Sequence, residues 1–557
     1  MILANDLQQR RAVCAALFAT MGALGACGGS GDAAPAAPPA TAPAITVQPQ
    51  NVTAGEGSQP SVSVTASSDG GAMTYQWASP TANTDLPAGT ADTYVFDPLP
   101  YSASASTFNV RITNTVGTTT STAATMTVNE RSWGNVIPSL GGPIRQYAAV
   151  VDSNGHTHIV AVTGNNLQIG VGAALKLKNA DSTQPNAFVE AAALMPLETV
   201  VQTVSAIRAV VNAAGHVMAV WTRNNIVGAA LYTPGVNPNT AGTWSLLPTR
   251  IQDFAASSGL EADVAAVGNG AFEFVWRQRI GSSGAYDVMS RRYTINNNTL
   301  SAIVPIEAST ADNEAPRLVV DSAGNMLAAW RQLGVGTVIS RRATGAAWGT
   351  TTTTVAAPNL VFEALKVNAA GRGVLLNSDR AGLGYSTVLD IAAPNPVVQG
   401  SAYTLNAHSS APDAYVAADH KIRVYGVAVN VGAGNSSILA EWVYTWGSGW
   451  SSANLISDNN TNNLIATGQG VFGPRVSEAD SAGNLMLTWE ERGANSASTI
   501  RTRRLLNGNL RPISFAPSDR VAGEPQREAT AVLGADGSGM MICVDQQTRN
   551  LRPANFR

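Results

Sequence analysis

Leu318-Val-Val-Asp-Ser-Ala-Gly-Asn-Met-Leu-Ala-Ala-Trp330 and Val476-Ser-Glu-Ala-Asp-Ser-Ala-Gly-Asn-Leu-Met-Leu-Thr-Trp489 are two copies of one pattern. Ala209-Val-Val-Asn-Ala-Ala-Gly-His-Val-Met-Ala-Val-Trp221 and Ala149-Val-Val-Asp-Ser-Asn-Gly-His156 repeat it. Leu365-Lys-Val-Asn-Ala-Ala-Gly371 is a weaker copy. Degenerate ones lie at Val267-Gly268-Asn269-Gly270, Ala418-Asp419-His420 and Ala535-Asp536-Gly537. The spacing is roughly 47 to 60 residues. Each copy reads as strand, turn, strand, with β-branched and aromatic residues in the runs. A repeat of about 50 residues built only of strands predicts a β-propeller blade. Eight blades are expected, or seven if one degenerate copy is not a blade.

The turn chemistry is local. Asp152, Asn212, Asp321, Asn368 and Asp480 each stand three residues before a glycine. A type I turn takes Asp or Asn first and Gly fourth, because the side chain caps the turn and Gly accepts a left-handed conformation. These positions are therefore expected to join the first two strands of a blade. Third strands follow, as in Val338-Ile-Ser-Arg-Arg342 and Ile500-Arg-Thr-Arg-Arg504. Fourth strands carry Trp with a small residue, as at Trp244-Ser245, Trp348-Gly349 and Trp450-Ser451.

The two ends of the repeat region complement each other. It opens on Ser132-Trp-Gly-Asn-Val136, a fourth-strand pattern with no blade before it. It ends at Asn550 to Arg557, a third strand with no fourth after it. The N-terminal strand is expected to complete the last blade and remove an open sheet edge.

Upstream, residues 45–129 alternate with period two in Ser61–Thr65, Thr74–Trp77, Phe108–Thr113 and Ala124–Val128. Gln48-Pro49, Gly55-Glu-Gly57, Tyr75-Gln-Trp77 and Thr113-Asn-Thr-Val-Gly117 together resemble bacterial immunoglobulin-like domains. The resemblance implies a β-sandwich with Trp77 as its core tryptophan. Residues 27–44, rich in Gly, Pro and Ala, cannot build a core and read as a tether.

Residues 1–26 read as a signal peptide: Arg10 and Arg11 close a polar segment and Ala12–Ala26 is apolar. About 15 residues are too few for a membrane span. Leu24-Gly-Ala-Cys27 resembles the lipobox of bacterial lipoproteins, which implies a lipid on Cys27 and a membrane-lipid partner. By the same resemblance, Gly28 in place of Asp implies sorting to the outer membrane. Cys14 leaves with the signal, so Cys543 is the remaining thiol and no disulfide is expected. Its setting, Met540-Met-Ile-Cys-Val544, reads as core.

Charged residues make up 13% of the 557, against roughly 25% in ordinary domains. The net charge of −3 argues against a nucleic-acid partner. Trp221, Trp276, Trp330 and Trp489 end second strands and, with Trp133, Trp244, Trp348 and Trp450, recur once per blade; they are expected to pack between blades, with sugar stacking as the alternative. Arg277, Arg331 and Glu490 follow three of them, and Arg291-Arg292, Arg341-Arg342 and Arg503-Arg504 lie on third strands. Their recurrence predicts a ladder of exposed cross-strand pairs, with an anion site as the alternative. In blade pattern alone the chain resembles sialidase propellers; their arginine motif is not matched near the first blade.

His156 and His158 share one face of a strand, but two ligands fall short of the three that catalytic zinc takes. His156 also aligns with Asn325 and His216, which marks it as a turn residue. Five histidines leave little general-base chemistry. There is no Gly-x-Ser-x-Gly, His-Glu-x-x-His or phosphate-binding loop. No catalytic, cofactor-binding or metal-ligating residue is assigned. The expectation is an all-β envelope lipoprotein whose propeller, residues 130–557, binds a protein or carbohydrate ligand. The alternatives are a polysaccharide-active propeller enzyme and a structural envelope lipoprotein.

Overall fold

The computed structural model describes residues 40–556 apart from connecting stretches, the longer of which are 137–142, 177–194, 236–241, 406–411, 430–436, 457–469 and 516–525. Cys27, the signal peptide and residues 27–39 of the tether lie outside the described residues. The described chain is all-β apart from one 3-10 turn at Tyr101–Ala103. Among the described residues, no helix is long and apolar enough to cross a membrane.

Strands between Ala44 and Asn129 pack around Trp77, which is fully buried among Val62, Tyr94, Phe108, Val110 and Met126. Its indole N–H donates to the Ala91 carbonyl at 2.8 Å. The polar tip is thereby satisfied while the ring fills the core.

The remainder forms a β-propeller arrangement of separate antiparallel sheets. Among the described residues there are eight, each with four strands on its main path. Their first strands are Ile144–Val151, Val204–Val211, Ala256–Val267, Asn313–Val320, Val361–Val367, Asp413–Val416, Gly470–Val476 and Gln526–Leu533. We number the sheets one to eight in that order. First strands of successive sheets lie side by side, and that of sheet eight lies beside that of sheet one. Sheet eight takes its outer strand from the start of the region: Trp133–Val136 pairs antiparallel with Leu551–Phe556.

The turns form as the residue pattern requires. Asp321 N–H donates to the Asn325 carbonyl, Gly324 N–H to the Asp321 carbonyl, and Asn325 N–H to the Asp321 side chain. Asn212 and Asp480 cap their turns in the same way. Gly215, Gly324 and Gly483 all adopt φ near +80°, where a Cβ would be strained. Asn212 and Asn368 also donate to carbonyls of the next sheet's turn, at Asn269 and Ala417.

Trp221, Trp276, Trp330 and Trp489 are at most 1% exposed. Each packs with the preceding sheet: Trp221 on Val160 and Val162, and Trp330 on Val275 and Val288. The packing role holds for these four, and sugar stacking does not. Cys543 is buried in core, as its neighbours predicted.

The third-strand arginines depart from the expected exposed ladder. Glu273, 3% exposed at its side chain, receives Arg292 of its own sheet at 2.8 Å and Arg342 of sheet four at 3.1 Å. Arg291 donates to carbonyls of Arg250 and Ile251, Arg341 to those of Ile391 and Ala392, and Arg503 to those of Arg511 and Ile456. They tie sheets and loops together, because a half-buried guanidinium must find acceptors within reach. Arg277–Glu261 and Arg331–Glu314 do form cross-strand pairs, each at 3.0 Å.

Candidate functional site

One register position recurs along the first strands. It pairs with the residue just before the second-strand tryptophan. Arg208 faces Val220, Asp263 faces Val275, Arg317 faces Ala329 and Arg475 faces Thr488. Counting from the turns places Ala148, Ala364, Asp413 and Thr530 at the same position in the other sheets. Three arginines and two aspartates thus occupy one level of the innermost strands.

A bulge aims this position. The pairing register slips just before it, at Ser205/Ile207, Leu260/Asp263, Glu314/Arg317 and Phe472/Arg475. The residue two before it is left-handed in each case: Ala206 at φ +53°, Glu261 at +49°, Ala315 at +51° and Gly473 at +52°. An inserted residue bends the strand and re-aims the following side chain. Three of the four sites hold a non-glycine residue at a cost of about 1 kcal/mol each.

The two acids at this level are engaged sideways. Asp263 accepts from Leu318 N–H at 2.9 Å and Asp413 from Val476 N–H at 3.0 Å. Each carboxylate therefore braces the next sheet. The arginines instead donate to the carbonyl of their own preceding residue: Arg208 to Ile207, Arg317 to Pro316 and Arg475 to Pro474. None of the three makes an ion pair among the described residues. Burial, together with the charges of Arg317 and Arg475, shifts the Arg208 guanidinium below its ordinary pKa.

Arg208 and Arg475 line a cavity of about 670 Å³ with Arg145, Tyr147, Glu490 and Thr530. It lies toward the beginnings of the first strands. Toward their ends Lys366 of sheet five reaches Glu478 of sheet seven at 3.4 Å. That glutamate is the main cause raising the Lys366 pKa. The cavity wall thus carries three guanidinium groups against one carboxylate, which suits an anion.

Two further polar clusters lie elsewhere. Asp287 and Glu307 form a carboxyl pair on the outer part of sheet three, and burial, reinforced by Glu307, pushes Asp287 up to about 6. In sheet one, Asp152 meets both His156 and His158 at 3.0 Å. This carboxylate was legible only as a turn residue; the strand that follows the turn folds His158 back beside it.

The arginine level was not visible in the sequence repeat. Its residues differ from sheet to sheet, so only the pairing register identifies them. Trp133, Trp244 and Trp450 are half-buried on outer strands; Trp348, expected on a fourth strand, is buried instead in the connection before Thr353–Ala356, and none of the four is in the cavity lining.

No family model matches the chain, and no curated protein matches it. Several solved structures are similar. The WD40 domain of SCAP from fission yeast is 9% identical with a TM-score of 0.41, covering 76% of this chain and 98% of that one. The NanB sialidase from Streptococcus pneumoniae is 10% identical with a TM-score of 0.33, covering 81% and 88%. The β-propeller domain of the trilobed protease from Pyrococcus furiosus is 10% identical with a TM-score of 0.33, covering 52% and 79%. All three are β-propeller proteins.

Proposed function

We propose that this chain is an exported, lipid-anchored envelope protein whose propeller is a binding module for an anionic ligand. Cys27 carries the lipid, residues 27–44 the tether, and residues 45–129 an immunoglobulin-like spacer. The propeller has eight blades and is closed by Trp133–Val136. Gly28 directs the protein to the outer membrane. The observation that carries the ligand class is the group Arg208, Arg317 and Arg475. They share one level of the innermost strands, and none of the three makes an ion pair among the described residues.

A cavity of about 670 Å³ is in the range that holds a small ligand or a short stretch of a longer one. Acidic saccharides and acidic peptide segments both offer a planar carboxylate that a guanidinium grips through two bonds. Binding is favoured over hydrolysis because Asp263 and Asp413 are already committed to backbone N–H groups. A glycosidase needs two carboxyl groups poised on either side of one bond.

Calorimetry with a glucuronate-containing disaccharide, its neutral glucose counterpart and an oligoglutamate peptide tests the ligand class. The expected result is binding of an acidic probe that weakens with salt and falls at least roughly tenfold in Arg208→Gln/Arg475→Gln. Equal binding of neutral and acidic probes, or an unchanged affinity in the double variant, overturns it. Palmitate labelling of the wild type and of Cys27→Ala tests the anchor; equal labelling of both overturns that part.

A further inference from the structure

The repeats of this chain serve as their own control for one position. Two residues after the turn ends, sheets two, four, five and seven carry Met218, Leu327, Val374 and Met486, all at most 1% exposed. Sheet one carries His158 there, with no exposed surface. The fold is satisfied by an apolar side chain at this place in four sheets. An imidazole buried there costs desolvation that packing does not require. Hydrogen bonding satisfies only one side of the ring: Nε2 meets Asp152, while His158 Nδ1 has no partner among the described residues.

What the substitution achieves is convergence. His158 Nε2 and His156 Nδ1 each lie 3.0 Å from the same oxygen, Asp152 Oδ2. The three ligand atoms all fall within 4.8 Å of one another. Tetrahedral zinc, at about 2.0–2.1 Å from each nitrogen or oxygen, sets its ligands roughly 3.3 Å apart. The three side chains are 0 to 5% exposed. The Tyr232 ring lies 4.2 Å from the His158 ring, centroid to centroid, and Trp244 stands 6.1 Å away. Asp152 is oriented by a second bond, from His156 N–H to Oδ1 at 2.9 Å. Such outer support fixes a ligand's direction before a metal arrives.

We propose that Asp152, His156 and His158 form a site for a divalent, imidazole-preferring transition metal of the zinc type, which pins the turn of sheet one to its second strand beneath Tyr232 and Trp244. One carboxylate and two neutral imidazoles make a mixed N/O set that zinc, cobalt and nickel accept and that magnesium and calcium disfavour. The neutral imidazole ring is the form that coordinates. The three residues are nearly fully buried and do not line the cavity of about 670 Å³, so the role assigned is structural.

The test uses the full chain stripped with a chelator and titrated with Co²⁺, then with Zn²⁺ in competition. The expected result is stoichiometric binding, visible d–d absorption of tetrahedral intensity, displacement by Zn²⁺, and a metal-dependent rise in Tm. His156→Asn reproduces the Asp321–Asn325 and Asp480–Asn484 turns, which keep their bonds with an asparagine. His158→Met restores the residue of sheets two and seven. Both variants are therefore expected to fold, and both to lose the cobalt absorption and the metal-dependent rise. His216→Asn, in sheet two, is expected to retain them. Absence of stoichiometric binding in the wild type, or retention of the absorption in either sheet-one variant, overturns the proposal.

Discussion

Arg504 of sheet seven grips Glu56 of the amino-terminal unit through two bonds, of 2.7 and 2.6 Å, with both side chains 4% exposed. Arg131 N–H donates to the same carboxylate, and the guanidinium lies 5.1 Å over the Phe556 ring. Arg511 adds a second pair with Glu130. Sheet seven, sheet eight and the unit before them therefore share one charged junction. A buried ion pair is costly to halve, because the survivor keeps its desolvation cost without its partner. Glu56→Ala is expected to destabilise the protein by about 3 kcal/mol in urea unfolding. Replacing both partners by Met is expected to recover most of that loss. A double variant as unstable as the single one would contradict this account.

The bulges before the axial arginines store strain that glycine relieves. Ala206 and Ala315 sit at φ +53° and +51°, and sheet seven places Gly473 at the equivalent point. Ala206→Gly and Ala315→Gly are each expected to stabilise by about 0.5–1 kcal/mol, against the usual loss for glycine in a strand. The shift in denaturation midpoint, at constant slope, reads this directly.

Asp287 makes stability depend on pH. Its carboxyl is raised to about 6, by burial first and then by Glu307. Raised above its unfolded value of about 3.9, it favours the folded state when protonated. That contribution is fully present below about pH 4 and is lost as pH rises through 6. Asp287→Asn is expected to be more stable than the wild type at pH 8, by about 1 kcal/mol after discounting for partial solvent contact, and not at pH 4. Thermal unfolding from pH 4 to 8 checks the sign; a constant difference between the two proteins would refute it.

The outer strand of sheet eight rests on Trp133 against Phe556, with ring centroids 5.0 Å apart, and on the Trp133 indole N–H donating to Thr502 at 3.0 Å. Phe556 is 3% exposed. Phe556→Ala is expected to cost about 3 kcal/mol. It should also speed amide exchange in Gly539–Asp545 more than in the central strands of sheets three and four. Uniform acceleration across all sheets would show that this pairing is not where the sheets part first.

Much of the architecture was legible because its determinants are local. Asp321 and Gly324 make their turn with atoms four residues apart, so the turn is readable from four letters. Trp330 and Trp489 are buried wherever a strand of that composition ends beside a neighbouring sheet. The unpaired fourth-strand pattern at Trp133 and its partner near Phe556 could be matched without coordinates, since an open edge at each end is the same need seen twice. Arg292 does form the expected cross-strand charge pair, but with a buried partner. Glu273 stands directly opposite Arg292 in its own sheet and is also reached by Arg342 from the next one. Strand alternation gives a side chain's face and not the burial or the neighbouring sheet that stands opposite it.

The sequence by itself determined the hairpin turns, the strand-only repeat, the buried tryptophans and the matching ends. These rest on backbone preferences and apolar burial, which act over a few residues and recur in every copy. Only the tertiary structure decided which side chains meet. It set Arg208, Arg317 and Arg475 on one level although 267 residues of chain separate the first from the last. It also brought Asp152 to His156 and His158 as a third ligand atom. Electrostatics and metal geometry depend on distances through space, and those distances exist only after the sheets have packed.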